Sequence, residues 1–188
     1  MARDSTSVPE RTSASTSIGV QRYFPLRVGY VWTYREQVVR DADTVLLQRR
    51  VTFTVQSRHD REYVAHWDFQ SGHTRLPNTR YRLVDDGIQQ AQLTGDTKYT
   101  PFAYLLKAPL VVGQTWHTGR GAVVRIVAIH PECTVPAGTF ALCVETLQEV
   151  DSTPESRVHT RRRFAPDVGL VWQQRRLLVN ETLQRVDT

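Results

Sequence analysis

The chain has 188 residues, 40% apolar and 23% charged, with a formal net charge of +5; this suits one globular domain and argues against wholesale disorder or a fibrous architecture. Lys98 and Lys107 are the only lysines, and the arginines are spread along the chain beside Asp and Glu. That pattern speaks against nucleic acid, which needs its positive charge clustered on one face, and the longest apolar stretches, such as Ala108 to Val112, fall far short of the ~18 residues of a membrane-spanning helix.

Residues 1 to 22 are rich in Ser, Thr and Arg with only isolated apolar positions, so they predict a disordered tail that cannot offset its ordering entropy. Between Met1 and Gln21 there is no apolar run of the ~7 to 15 residues found in a secretory signal, which predicts a cytoplasmic chain if Met1 is the natural start. The domain is expected to occupy residues 23 to 188. From Tyr30 onward, short runs of Val, Thr, Tyr, Phe and Trp alternate with polar residues. Val51 to Val55 and Tyr63 to Phe69 follow period two, with Tyr63, Ala65, Trp67 and Phe69 on one side.

Further strands are expected at Arg80 to Val84, Ile88 to Leu93, Ala122 to His130, Phe140 to Val150, Arg157 to Phe164, Leu170 to Leu177 and Val179 to Val186. Turn chemistry separates them at Asp41-Ala42-Asp43, His59-Asp60, Ser71-Gly72, Asp85-Asp86-Gly87, Thr94-Gly95-Asp96, Gly119-Arg120-Gly121, Pro136-Ala137-Gly138 and Asp151 to Pro154. Pro101 to Leu106 reads as one short helix, with Phe102, Leu105 and Leu106 on its apolar side. The expected fold is all-β: an antiparallel meander of roughly 8–10 strands in a curved sheet or barrel.

Pro25-Leu26-Arg27-Val28-Gly29-Tyr30-Val31-Trp32 and Pro109-Leu110-Val111-Val112-Gly113-Gln114-Thr115-Trp116 share Pro-Leu-x-Val-Gly-x-x-Trp at identical spacing. In each, Pro sets an extended entry, Leu and Val anchor to the core, Gly permits a turn closed to other residues, and Trp opens a strand. The repeat divides the domain into similar halves, 23 to 105 and 106 to 186, whose aromatic faces would cover each other. Trp32, Trp67 and Trp116 are then either core or, on a curved sheet, the stacking wall of an apolar ligand cleft.

Three stretches, Tyr23-Phe24-Pro25-Leu26-x-x-Gly29-x-x-Trp32-x-Tyr34, Thr134-Val135-Pro136-Ala137-Gly138-Thr139-Phe140-x-x-Cys143 and Phe164-Ala165-Pro166-Asp167-Val168-Gly169-Leu170-Val171, resemble a widespread group of uncharacterised bacterial cell-envelope proteins, many of them predicted lipoproteins. The resemblance implies an all-β domain outside the cytoplasm and supplies no catalytic residues. This chain departs from the group in having no signal peptide and no lipidated Cys near its start.

Cys133 and Cys143 flank the Val-Pro-Ala-Gly-Thr-Phe hairpin tip, and a loop centred on Gly138 would set them opposite each other within reach of a disulfide. In an oxidising compartment they can bridge; in a reducing cytoplasm they stay thiols. The six histidines, His59, His66, His73, His117, His130 and His159, form no metal-binding pair; His130 with Cys133 is the nearest approach to one. There is no nucleophile elbow and no phosphate loop, and Asp85-Asp86 before Gly87 is turn chemistry. No catalytic residue, metal or cofactor is therefore expected.

The dense run Arg161-Arg162-Arg163 is the one candidate patch for an anionic partner. Together these readings predict a non-enzymatic binding or scaffolding domain of the cell envelope. The alternatives are an assembly subunit docking a protein partner through strand edges and Arg-rich faces, and a carrier of an apolar small molecule.

Overall fold

In the computed structural model, which describes residues 19–40, 44–69, 78–94, 98–118, 122–180 and 182–187, the alternating segments form thirteen strands. The first half supplies β1 (Val31–Arg40), β2 (Thr44–His59), β3 (Glu62–Phe69), β4 (Thr79–Val84), β5 (Gly87–Thr94), β6 (Lys98–Tyr99) and β7 (Ala103–Lys107). The second supplies β8 (Thr115–His117), β9 (Val123–Val135), β10 (Gly138–Thr153), β11 (Ser156–Ala165), β12 (Gly169–Val179) and β13 (Thr182–Asp187). All belong to one curved antiparallel sheet in the order β6-β5-β4-β3-β2-β1-β13-β12-β11-β10-β9-β8, with β7 pairing β5.

The sheet is thus two successive meanders joined where β1 pairs β13, Val39 facing Val186. It does not close into a continuous ladder. Its two ends meet through a side chain instead: the Trp116 indole Nε1–H on β8 donates to the Tyr104 carbonyl on β7 at 3.0 Å.

Period-two burial puts Trp32 and Tyr34 of β1, Phe53 and Val55 of β2, Tyr63 and Ala65 of β3 and Tyr81 of β4 on the concave side. From the other half, Trp116, Val124, Ile126, Val144 and Phe164 join the same core, so the two halves cover each other as their aromatic patterns imply. Phe24 is the plug between them. Its ring lies 5.2 Å from Tyr81, 6.0 Å from Phe53 and 6.4 Å from Phe164, centroid to centroid.

The two Pro-Leu-x-Val-Gly-x-x-Trp segments make the same hydrogen bonds. The Gly29 N–H donates to Val55 O at 2.9 Å and the Val55 N–H to Tyr30 O at 3.0 Å; in the second copy Gly113 donates to Ile126 O and Ile126 to Gln114 O, both at 2.9 Å. Each glycine has positive φ, +86° and +91°, and a Cβ at either would meet nothing within 4 Å. The requirement is therefore conformational, not steric. Gly29→Ala and Gly113→Ala should each cost about 1–2 kcal/mol, and by nearly equal amounts, measured by urea unfolding; a wide disparity would show that the copies carry different loads.

Several expectations need correcting. Pro101 to Leu106 is not a helix. Ala103–Lys107 is strand β7, because Leu105 and Leu106 are buried as an edge pairing β5. The helical element is a short 3-10 turn at Val20–Tyr23. It lies partly in the region assigned to the tail, and it is ordered because Val20 is 5% exposed in the core. The last reversal falls at Asn180, with φ +48°, and β12 continues through Val179. The tail at residues 1–18, His73 and the turn residues 41–43, Ser71-Gly72, Gly95-Asp96 and 119–121 lie outside the described residues.

Candidate functional site

The sheet has two unlike ends. At one, the 3-10 turn, Phe24 and the β11–β12 turn pack together: Asp167 N–H donates to Arg22 O at 2.6 Å and Trp32 Nε1–H to Val168 O at 2.6 Å. Moving away from this plugged end, β11 presents Phe164, Arg162, Thr160 and Val158 in turn to the concave side, where they pair with Val144, Thr146, Gln148 and Val150 of β10. Strand spacing puts Arg162 about 7 Å above Phe164, over the apolar floor.

Arg162 donates from Nε to Gln173 Oε1 at 2.8 Å and from Nη1 to Gln148 Oε1 at 2.9 Å. Facing it from the first half is Tyr81, and beside Tyr81 stands Tyr34. Burial pushes both phenols well above their ordinary range, so both keep their protons at neutral pH. Burial also pushes the Arg162 guanidinium down, to about 10, against the opposing pull of Tyr81. It remains a cation at neutral pH, deep inside, yet part of its surface is open to solvent. The Arg162 guanidinium thus lies on the inward side with the amides of Gln148 and Gln173 as its hydrogen-bond acceptors, while the Tyr81 hydroxyl is bonded to Trp67 and Thr79.

The other inward arginines differ. Arg49 is paired with Glu36 and lies 3.8 Å over the Phe69 ring; Arg175 and Arg185 share Asp187. Arg162 meets no carboxylate among the described residues.

The run Arg161-Arg162-Arg163 is therefore not one patch. Strand alternation turns Arg161 and Arg163 to the convex side, where both bind Glu145, at 2.9 and 2.8 Å. His130 Nε2 lies 2.9 Å from the same carboxylate and Arg163 stacks 4.8 Å from the Trp172 ring. Their charge is spent locally.

The three tryptophans are packing elements. Trp32 lies 5.4 Å and Trp67 4.7 Å from the Phe53 centroid, and Trp116 is 4% exposed. A cavity of about 490 Å³ is lined by Thr33, Tyr34, Arg35, Arg49 and Arg50, and another of about 420 Å³ by Gln56, His66, Asp68 and Asn78. Neither is lined by tryptophan.

Cys133 and Cys143 are bonded through their sulfurs, with Cα atoms 6.1 Å apart, but they are not directly opposite. The tip is Pro136-Ala137, so Cys133 faces Phe140 and Cys143 faces His130. Strict alternation in that register would send the two thiols to opposite faces. Leu142, at φ +54°, breaks the alternation, and the bridge packs against Ala165 with Phe140, Val168 and Val171.

Sequence reasoning overlooked Tyr34, Tyr81, Gln148 and Gln173 as a group. A signal for Arg162 was present but was not drawn: Val158, Thr160, Arg162 and Phe164 share one face by period two, which sets a charge among inward residues.

The described structure defines an all-β protein: one open, curved antiparallel sheet plugged at one end, with an inward arginine, Arg162, above the plug. No protein-family model and no curated protein matches the chain. Among solved structures, a "putative exported protein with YmcC-like fold" from Bacteroides fragilis has this fold, with a TM-score of 0.53 and 15% identity over 88% of this chain and 95% of that one. A "putative lipoprotein" from Parabacteroides distasonis matches at TM-score 0.52 and 15% identity, with the same coverage of both chains. At such identity, the likeness is one of fold.

Proposed function

We propose that this chain is a non-catalytic binding or scaffolding domain of the bacterial cell envelope. The observation that carries the reading is the fold, shared over nearly the whole length of two chains described as an exported protein and a lipoprotein. The Cys133–Cys143 bridge supports it independently, since such bonds persist in oxidising compartments.

The binding side of the reading draws on Arg162, an inward guanidinium whose described hydrogen-bond partners are the amides of Gln148 and Gln173. The scaffolding side draws on the hairpin carrying the bridge, where Ile129 and Leu142 are 39% and 42% exposed. An apolar carrier walled by the tryptophans has less support, because Phe24, Phe53 and Phe164 occupy the space their rings border.

The test is fractionation of the source cells with thiol alkylation before lysis. The protein should appear in the envelope or periplasmic fraction with both cysteines unlabelled. Recovery from the cytoplasm with two labelled thiols would overturn the reading. In the purified protein, Cys133→Ser with Cys143→Ser should cost about 2–3 kcal/mol of unfolding free energy, the loop-closure value for so short a span, read by urea denaturation without reductant.

A further inference from the structure

We propose that a seam in the sheet, between β1 and β12, is the docking slot for an extended acidic segment of a partner protein, which adds there as a strand in line with β13. The proposal rests on the scaffolding side of the reading above and names its surface and the chemistry of its partner.

Three observations lead there. First, β13 stands between β1 and β12 over only part of their length. It pairs β1 through Val38, Val39 and Arg40 and β12 through Arg175 to Val179. Among the described residues, Val31 to Gln37 of β1 and Gly169 to Gln174 of β12 therefore have no strand on the edges they turn toward each other. The gap is one strand wide, two strand spacings or about 9.5 Å, and runs for about six residues, roughly 20 Å. Its far end is bounded by the Trp32 indole, which donates to Val168 O at 2.6 Å. Unpaired edges are templates for another chain, and a strand entering here is held by backbone hydrogen bonds from both sides, whereas one at an outer edge is held from one.

Second, the seam is bordered by unneutralised positive charge. Arg35 and Arg50 lie directly opposite each other on β1 and β2, on the convex face because their neighbours Tyr34 and Val51 turn inward. Like charges so placed destabilise a sheet. Glu36 turns to the other face with Arg49, and among the described residues neither Arg35 nor Arg50 forms an ion pair, with Asp68 opposite Thr52 or with any other carboxylate. Val38, Asp187 and Arg175 share one rung; three rungs along in the same register, Trp172 faces Arg35 across the gap, with Arg163 stacked on its ring. An acidic side chain on that rung would lie beside Arg35 and relieve the repulsion.

Third, there is room for it. The cavity of about 490 Å³ is lined by Thr33, Tyr34 and Arg35 of the seam together with Arg49 and Arg50, and the Thr33 hydroxyl adds a further donor for a carboxylate.

The experiment is amide hydrogen exchange on the full chain, alone and with the synthetic peptide Thr-Val-Glu-Val-Thr-Val, blocked at both ends. Two control peptides carry Lys in place of Glu or N-methyl groups on alternate amides, and Arg35→Gln is the variant of the chain. The glutamate peptide at millimolar concentration should slow exchange in Val31 to Gln37 and Gly169 to Gln174 together. The lysine peptide should bind roughly 5-fold more weakly, the worth of exchanging an exposed attraction for a repulsion, and the N-methylated one not at all, because backbone bonds carry the affinity. Arg35→Gln should bring the two charged peptides within about 2-fold of each other, while its urea midpoint stays unchanged or rises as the contact with Arg50 is relieved.

Slowing of only one of the two stretches, or of neither, would overturn the slot. Slow exchange of both stretches in the chain alone would also overturn it, showing the seam already filled by this chain or a second copy. Equal binding of the glutamate and lysine peptides would overturn the acidic partner. No protection in an exported protein would sink this proposal alone; protection in a protein recovered from the cytoplasm would sink only the envelope reading.

Discussion

Phe53→Ala should lower the unfolding free energy by about 3–5 kcal/mol, the range for truncating a fully buried aromatic ring. Phe53 is 1% exposed, and four other rings surround it: Trp67 at 4.7 Å, Trp32 at 5.4 Å, Tyr81 at 5.8 Å and Phe24 at 6.0 Å. These come from β1, β3, β4 and the segment after the 3-10 turn, so one void would loosen four separate parts of the fold. Trp32 cannot collapse freely into that void, because its indole is held by Val168 O. Phe140→Ala, at a half-buried ring beside the disulfide, is the control and should cost far less. Urea unfolding of both variants checks this; a loss below about 1 kcal/mol at Phe53 would mean that the plugged end is loosely packed.

The second large effect is expected at Glu145. On the convex side, its carboxylate is 4% exposed and receives Arg161, Arg163 and His130. Burial alone would push its carboxyl up, but hydrogen bonds from His130, Arg163 and Arg161 outweigh this and hold it below the ordinary 4.5. Glu145→Gln should cost about 3 kcal/mol at pH 7, reduced from the fully buried case because the arginines are partly open to water.

The pH dependence has a definite sign. A carboxyl whose folded pKa is depressed contributes its stability above the unfolded value, and that stability is lost as pH falls through the folded one. The gap in urea midpoint between the natural chain and Glu145→Gln should therefore be full at pH 7 and shrink progressively below pH 4.5. A gap that stays constant down to pH 3 would show that the glutamate acts through packing and not through charge.

Much of this architecture is legible in local sequence. Val51 to Val55 and Tyr63 to Phe69 lie in strands with the predicted face inward because period-two burial needs only neighbouring residues. The repeated glycines were equally readable, since a positive φ is a property of one residue. By contrast, Pro101 to Leu106 misled because its apolar spacing suits a helix or a buried edge strand, and only the free edge of β5 selects between them. The offset of Cys133 from Cys143 was hidden because the tip sits one position before Gly138 and Leu142 adopts a backbone that a leucine rarely takes.

The sequence by itself determined the all-β class, the strand faces and the doubled anchor, for these follow from alternation, turn chemistry and spacing within a few residues. The tertiary structure alone decided which edges meet, how the three arginines divide, and what surrounds Arg162. Alternation could point Arg162 inward, but Gln148 and Gln173 come from neighbouring strands and Tyr34 and Tyr81 from the other half of the chain. The partners of a buried charge are set by long-range register and sheet curvature, which depend on the whole sheet closing over its core.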